Sequence, residues 1–390
     1  QEHKDELSAR GHTFLSDTDT EVLAHLIGEE RKTAPSLKEA FARALRRAHG
    51  AYAVVMIALE EPGVMYAARM SAPLLMGVGV GECFLASDIP AFLPYTRDVV
   101  FLEDGELARI KGPKWEVLSL ADLSPVKKSV SHVPWDMQAA AKGGYKHFML
   151  KEIMEQPRVI TDCLTGRVAE EKDGPRVLLH ELDALPVPSR LHIVACGTSY
   201  NAGLWGRQLL EGVGRIPTDL DIASEFRYRD PMLLPGEVVM VISQSGETLD
   251  TMAGLREAKR LGGRTLAVVN VVGSSIAREA DNVLYTWAGP EIAVATTKAY
   301  TTQTVLLLML GVYLARRLDR IGSGEYQEIV RELHGLHERI GMVLKNLELY
   351  QKTAARYFNH DSVFYIGRNQ DYALGMEGSL KLKEISYIHS

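Results

Sequence analysis

Cysteine is scarce. Three residues in 390, Cys83, Cys163 and Cys196, cannot build a disulfide framework, and they suit a reducing, cytoplasmic setting. Long apolar runs are missing too. The longest nearly unbroken one, 305–315, falls far short of the ~20 residues a membrane span needs. Positive charge is not in excess: 44 Lys plus Arg stand against 50 Asp plus Glu, a net of −6 with a pI near 6.1. That leaves no electrostatic footprint for nucleic acid, and no basic recognition helix is evident. No GxxxxGK[ST] loop is present, so a nucleoside triphosphate is not the expected ligand. His334 and His337 lie i, i+3 beside Glu338, but zinc needs a further ligand that the sequence does not place, so no metal is expected. Gln1 stands in place of Met with no signal peptide after it, and Ser390 closely follows a Lys/Glu-rich apolar segment. Both ends read as cut.

What is there describes a folded chain. Apolar residues make 46 % and charged residues 24 %, and the length suits two or three domains. Residues 1–50 read as helical. Val22, Leu23, Leu26 and Ile27 share a helix face after Ser16-Asp17-Thr18, and Ser36-Leu37-Lys38-Glu39 is a capping box ahead of Phe41, Ala44, Leu45 and Ala48. Short strand-like runs follow at 51–59, 64–69, 73–80, 82–87 and 99–110. They predict a β-meander, with a hairpin at Asp104-Gly105. The stretch 112–145, with Pro113, Pro125, Pro134 and Gly143-Gly144, reads as a linker. From about 151 strands alternate with helices, the pattern of an α/β fold with a doubly wound parallel sheet. Ile329, Leu333, Leu336, Ile340, Val343, Leu347 and Tyr350 form a heptad-like stripe, expected as one helix packed between domains. A weak repeat links Val194-Ala195-Cys196-Gly197, then Tyr200 and Gly203, to Tyr365-Ile366-Gly367-Arg368, then Tyr372 and Gly375. It reads as the start of a second α/β copy.

Three motifs carry chemistry. Ser243-Gln244-Ser245-Gly246-Glu247-Thr248 lies between an apolar strand and an amphipathic helix, where free backbone N–H groups and hydroxyls attract an anion. Cys196-Gly197-Thr198-Ser199 repeats that layout one strand away. Together they predict a site for a small phosphorylated ligand, against the plainer reading of ordinary helix caps. Lys381-Leu382-Lys383-Glu384 puts an ammonium and a carboxylate on one helix face, suited to moving a proton between neighbouring carbons. Cys83 and Cys163 read as small core residues. Cys196 opens a binding loop in which its backbone matters more than its thiol.

These motifs, with Ala223-Ser224-Glu225-Phe226-Arg227-Tyr228, Thr297-Lys298-Ala299-Tyr300-Thr301-Thr302-Gln303, Ile385-Ser386-Tyr387-Ile388-His389 and the entry segment Lys151-Glu152-Ile153-Met154-Glu155-Gln156-Pro157, resemble the glutamine–fructose-6-phosphate aminotransferase (isomerizing) family along essentially the whole chain. The resemblance implies an α+β glutaminase domain of the N-terminal-nucleophile type, followed by SIS-type doubly wound domains. The implied division is 1–130 glutaminase without its N-terminus, 131–165 linker and entry helix, 166–325 first SIS domain, and 326–390 connecting helix and start of a second. The family hydrolyses glutamine, channels the ammonia, and converts fructose 6-phosphate to glucosamine 6-phosphate without cofactor or metal. Carried over by resemblance, Ser243, Gln244, Ser245 and Thr248 hold the phosphate. Cys196, Gly197, Thr198 and Ser199 hold the sugar, with Val294 and Thr296 in a further substrate loop; the family often has Ser where Thr296 stands. Glu384 moves the proton between C1 and C2, Lys381 supports it, and Asp19 binds the amino group of glutamine. The resemblance also implies a homodimer. It places the cysteine nucleophile before this chain begins, and the ring-opening histidine and Schiff-base lysine after it ends, so this chain alone is expected to be inactive. A stand-alone phosphosugar isomerase or a phosphosugar-binding regulator is the alternative.

Overall fold

A computed structural model describes residues 2–133, 142–172 and 174–390. Gln1, and with it the reading of a cut N-terminus, lies outside the described residues, as does Pro134 of the expected linker. The chain forms two compact units, Gln1–Met137 and Gln138–Ser390.

The first unit opens with α1 (Glu2–Ala9), α2 (Asp19–Arg31) and α3 (Leu37–Arg47). Ser36 Oγ accepts the Glu39 N–H at 3.2 Å, satisfying one of the donors a helix start leaves orphaned. The Glu39 carboxylate turns to Arg43 at 3.0 Å, so the capping box is only half formed. Leu37, Phe41, Ala44 and Leu45 are buried as their spacing predicts. Eight strands follow: β1 (Tyr52–Ile57), β2 (Val64–Met70), β3 (Leu75–Val78), β4 (Cys83–Ala86), β5 (Asp98–Phe101), β6 (Glu106–Lys111), β7 (Lys114–Ser119) and β8 (Ser131–His132). They form two antiparallel sheets, ordered β1-β2-β6-β7 and β4-β3-β5-β8. Side chains of β2 alternate. Val64, Tyr66 and Ala68 join the helices in one core, while Met65 and Ala67 meet side chains of the second sheet.

Three expectations for this unit are corrected. The strands do not run as a single meander, and Asp104-Gly105 is not a hairpin, because β5 and β6 belong to different sheets. The Asp104 carboxylate accepts the Ser71 N–H at 2.7 Å and pairs with Arg69 at 3.2 Å, while the Gly105 N–H donates to the Arg69 carbonyl. The turn is thereby docked on the end of β2 and passes the chain from one layer to the other. The stretch read as a linker from 112 onward also begins too early. Residues 114–119 are β7, paired with β6 across a turn at Gly112, and Val117 and Leu118 are core residues.

The second unit begins with α4 (Phe148–Met154), α5 (Gln156–Leu164) and a hairpin of β9 (Val168–Glu171) and β10 (Gly174–Val177). Its body alternates β11 (Arg190–Ala195), α6 (Gly197–Gly212), β12 (Thr218–Ile222), α7 (Ala223–Phe226), β13 (Glu237–Ser243), α8 (Leu249–Arg260), β14 (Arg264–Val269), α9 (Ser275–Glu279), β15 (Asn282–Tyr285) and α10 (Lys298–Arg317). The five strands of β11–β15 are all parallel, ordered β12-β11-β13-β14-β15. This is the doubly wound sheet that the sequence predicts. Apolar clusters cover both faces, so β13 is buried along its whole length.

The remaining helices are α11 (Ser323–His334), α12 (Leu336–Leu344), α13 (Leu347–Tyr357) and α14 (Gln370–Ser386). The heptad-like stripe is therefore no continuous helix. It breaks at Gly335 and again at Lys345-Asn346. Leu333 is buried, but Val343, Leu347 and Tyr350 are exposed. Nor is 365–368 a strand. Ser362 bridges His389, Ile366 is exposed, and no neighbouring strand offers a ladder to 365–368 among the described residues. Among the described residues no helix is long and apolar enough to cross a membrane.

Phe41 is fully buried, with its ring 5.9 Å from that of Tyr66. Phe41→Ala leaves a cavity between α3 and the β2 sheet, and urea unfolding of the first unit should show a loss of about 3–5 kcal/mol. A loss under about 1 kcal/mol would mean that α3 is not seated on that sheet.

Candidate functional site

The parallel sheet changes winding direction between β11 and β13. From these adjacent strands the chain leaves to opposite sides, so their carboxyl ends frame a crevice in which α/β folds bind ligands. Both Ser/Thr loops lie there. Cys196 and Gly197 lead from β11 into α6, with Gly197 at φ +54. Ser243 ends β13, and 244–248 lead into α8.

The hydroxyls of the second loop are arranged rather than spent. Ser243 Oγ accepts the Gly246 N–H at 3.0 Å and lies 3.0 Å from Thr248 Oγ1. Ser245 Oγ accepts the Glu247 N–H at 3.1 Å. An oxygen that accepts from the backbone keeps its hydrogen free to donate elsewhere. The helix-cap reading fits poorly, since neither Cys196 nor Thr248 caps its helix with its side chain. Gly246 stands at φ +67, and a Cβ there would come within 2.0 Å of Ser274 Oγ, so only glycine allows this loop its close turn. Behind it, Asn270 donates its backbone N–H to the Gln244 carbonyl. Its side chain accepts from the Ala288 N–H and donates to the Gly289 carbonyl, which couples the 244 loop to the segment after β15.

That segment holds Val294 and Thr296. Val294 projects fully into solvent, and Thr296 is half-buried. Buried charge shapes their loop. Glu152 Oε1 accepts the N–H groups of Ile292 and Ala293 at 2.7 and 3.0 Å. Glu291 Oε1 accepts those of Thr297 and Ala299 at 2.8 and 3.2 Å, capping α10. Lys298, wholly buried, reaches Glu155 at 2.8 Å. Burial pushes the Glu291 carboxyl up to about 7, helped by the nearby Glu152 charge and opposed by the two N–H groups and Lys298.

Lys381 and Glu384 form an ion pair on α14. Glu377, one turn before Lys381, ties them to the first loop. It accepts from Thr198 Oγ1 at 3.0 Å and from Asn201 Nδ2 at 2.9 Å, and it lies 3.6 Å from Lys381 Nζ. Burial holds the Glu377 carboxyl above its ordinary value, against the pull of Asn201, Lys381 and Thr198. A cavity of about 690 Å³ opens beside this contact, lined by Gly197, Tyr200, Asn201, Tyr372 and Lys383 among others. The 243–248 loop does not line it. The structure thus joins Thr198, Lys381 and Glu384 through Glu377, and Ser243 with Thr248, while Ser245 accepts the Glu247 N–H of the same loop. It shows no bond from Val294 or Thr296 to either group.

In the first unit Asp19 is exposed on the first turn of α2, with Thr20 Oγ1 3.4 Å from its carboxylate. Glu21 holds the preceding loop, accepting from the Leu15 and Ser16 N–H groups and from Ser16 Oγ at 2.6–2.8 Å. Those donors, Leu15 first, draw its carboxyl down to about 2. Cys163 is buried and Cys83 half-buried, as small core residues are. His334 is exposed and His337 bonds the His334 carbonyl. No group of three or more His, Cys, Asp or Glu that could hold a metal occurs among the described residues.

Sequence reasoning missed Glu377, Gln303, Asn270, Glu152 and Glu291 as site residues. Glu377 carries a local signal, being i, i+4 to Lys381. The buried carboxylates carry none, because their partners are backbone groups more than a hundred residues away or on the next turn of chain.

Residues 1–94 match the glutamine amidotransferase domain family, and residues 185–313 match the SIS domain family. The glutamine–fructose-6-phosphate aminotransferase (isomerizing) of Caldanaerobacter subterraneus subsp. tengcongensis is 48% identical over 388 residues, 98% of this chain and 63% of that protein. The enzyme of the same name from Thermus thermophilus is 47% identical over 389 residues, with 63% of its length covered. The chain therefore spans a little under two thirds of these relatives. Among solved structures, the C-terminal domain of glucosamine-fructose-6-phosphate aminotransferase from Francisella tularensis matches with a TM-score of 0.61 and 36% identity, over 64% of this chain and 70% of that one.

A carboxyl raised to about 7 from 4.5 destabilises the fold when it ionises. Its stabilising contribution is complete below pH 4.5 and lost as pH rises towards 7. Glu291→Gln removes that titration, so the variant's melting temperature should vary less between pH 4.5 and 7.5 than the parent's. Parallel pH curves for the two proteins would assign the Glu291 charge no part in the loop.

Proposed function

Because this chain belongs, along the stretch it covers, to the glutamine–fructose-6-phosphate aminotransferase (isomerizing) family, we propose that its second unit binds fructose 6-phosphate at the β11/β13 crevice and its first unit serves glutamine hydrolysis. The product is glucosamine 6-phosphate, formed by amino transfer and ketose–aldose isomerization. The observation that carries this reading is the pairing of two hydroxyl-bearing loops at the switch point, with Lys381 and Glu384 brought to the first of them by Glu377.

The parts follow from geometry. Ser245 has a hydroxyl hydrogen free to meet a phosphate oxygen, the Ser243–Thr248 hydroxyl pair offers one more between them, Gly246 allows the close turn, and Gln244 completes the cradle. Cys196 and Gly197 start α6 with backbone N–H groups towards the crevice, and Thr198 and Ser199 orient the sugar. Val294 and Thr296 stand on a loop held by buried carboxylates and close the far side. Glu384, the more exposed partner of the ion pair, is the base that carries a proton between C1 and C2, and Lys381 neutralises the charge that develops. In the first unit the exposed Asp19 carboxylate, at the start of α2 beside the loop that Glu21 braces, receives the α-ammonium of glutamine. By the same family reading the protein works in the cytoplasm as a homodimer.

Ser245→Ala combined with Thr248→Ala removes two donors to a charged phosphate. Titration calorimetry with fructose 6-phosphate should show binding weakened by at least about a hundredfold, since each such bond contributes about 1.5–3 kcal/mol. Affinity equal to that of the parent protein would count against the phosphate cradle.

A further inference from the structure

Two neighbouring hydroxyls, Thr198 and Ser199, open α6, and each is reached from behind by a buried polar side chain of a different helix. Thr198 Oγ1 donates to Glu377 Oε1 on α14 at 3.0 Å. Ser199 Oγ instead accepts from Gln303 Nε2 on α10, also at 3.0 Å. Ser199 is 7 % exposed and Gln303 wholly buried, so water does not compete for this contact. A hydroxyl has one hydrogen and two lone pairs. Thr198 spends its hydrogen on the protein and keeps lone pairs to offer. Ser199 has a lone pair occupied, and its hydrogen goes to no protein group among the described residues. The two hydroxyls are therefore wired with opposite polarity.

We propose that Gln303 is a positioning residue that sets the polarity of Ser199, holding its oxygen so that its hydrogen points to an acceptor oxygen of the bound sugar phosphate. With Glu377 fixing Thr198 the other way, the start of α6 presents an acceptor beside a donor. That pair suits a ligand carrying a hydroxyl next to a carbonyl or phosphoryl oxygen, and it disfavours analogues that offer two donors or two acceptors there. The inference rests on the reading of 196–199 as a sugar-holding loop and adds Gln303 to it. Neither a Ser/Thr motif nor a helical period assigns a role to a glutamine 104 residues further along the chain.

The polarity is testable because glutamine and glutamate have the same shape. Gln303→Glu, ionised, can only accept, so it draws the Ser199 hydrogen inward. Once protonated it can donate again. Gln303→Met keeps the volume and leaves Ser199 free to rotate. Fructose 6-phosphate is titrated by calorimetry into the parent chain and into Ser199→Ala, Gln303→Met, Gln303→Glu and Ser199→Ala/Gln303→Glu, between pH 6 and 8.5, with melting curves to confirm folding. Ser199→Ala is expected to weaken binding about tenfold. Gln303→Glu should match that loss at pH 8.5 and recover as pH falls, Gln303→Met should lose only a few-fold, and the double variant should be no weaker than Ser199→Ala. The inference is overturned if Ser199→Ala weakens binding while Gln303→Glu leaves it unchanged at every pH. It is equally overturned if the Gln303 variants cost as much in the Ser199→Ala background as in the parent, since that is the signature of a merely structural role. If Ser199→Ala itself has no effect, the sugar-holding reading of the loop fails, and the polarity inference falls with it.

Discussion

The parallel pairing of β11 with β13 is the constraint on which the second unit depends. Ala195 lies opposite Ile242 in that register, so the loops that follow both strands start at the same height on the same edge of the sheet. The chain leaves one strand for α6 and the other for α8, on opposite faces, and a crevice opens where the winding reverses. No side chain creates it. It is a consequence of backbone hydrogen bonding between two strands so apolar that both faces must be covered by helices.

Around that crevice the polar work is done by a few buried groups that bond backbone or hydroxyls. Glu152 and Glu291 hold the loop of Val294 and Thr296 through four N–H groups, and Asn270 ties the 244 loop to the strand edge beyond it. Glu377 and Gln303 reach Thr198 and Ser199 from two different helices. Each satisfies donors or acceptors that would otherwise be stranded away from water, where an unmet polar group costs more than a made bond gains. The same low-dielectric surroundings raise the carboxyls of Glu291 and Glu377, so that the rigidity of the loops and the protonation of their supports have one cause.

Much of this was legible in the sequence, and the failures have reasons. The strand–loop–helix units at 191–199 and 238–248 stand out because a buried parallel strand is continuously apolar and ends abruptly in small hydroxyl residues. The capping serine of α3 was equally plain, since its partner lies three residues away. The Asp104-Gly105 turn misled because its dipeptide favours a hairpin locally, while Arg69 and Ser71, more than thirty residues earlier, pull it onto another strand. The stripe at 329–350 misled because hydrophobic spacing continues across Gly335 although the helix does not. The run at 365–368 has strand composition, but composition cannot supply a neighbouring strand.

The amino-acid sequence by itself determined the class of each unit, the family resemblance, the two hydroxyl loops and the Lys381–Glu384 pair, because these rest on short-range patterning of residues that touch their own neighbours. Only the tertiary structure decided which layer each strand of the first unit joins, which carboxylates stand behind the loops, and which side chains reach the hydroxyls of 198–199. Those outcomes depend on groups dozens to more than a hundred residues apart meeting in a dry interior, and nothing in a local pattern records which distant partner a buried polar group will find.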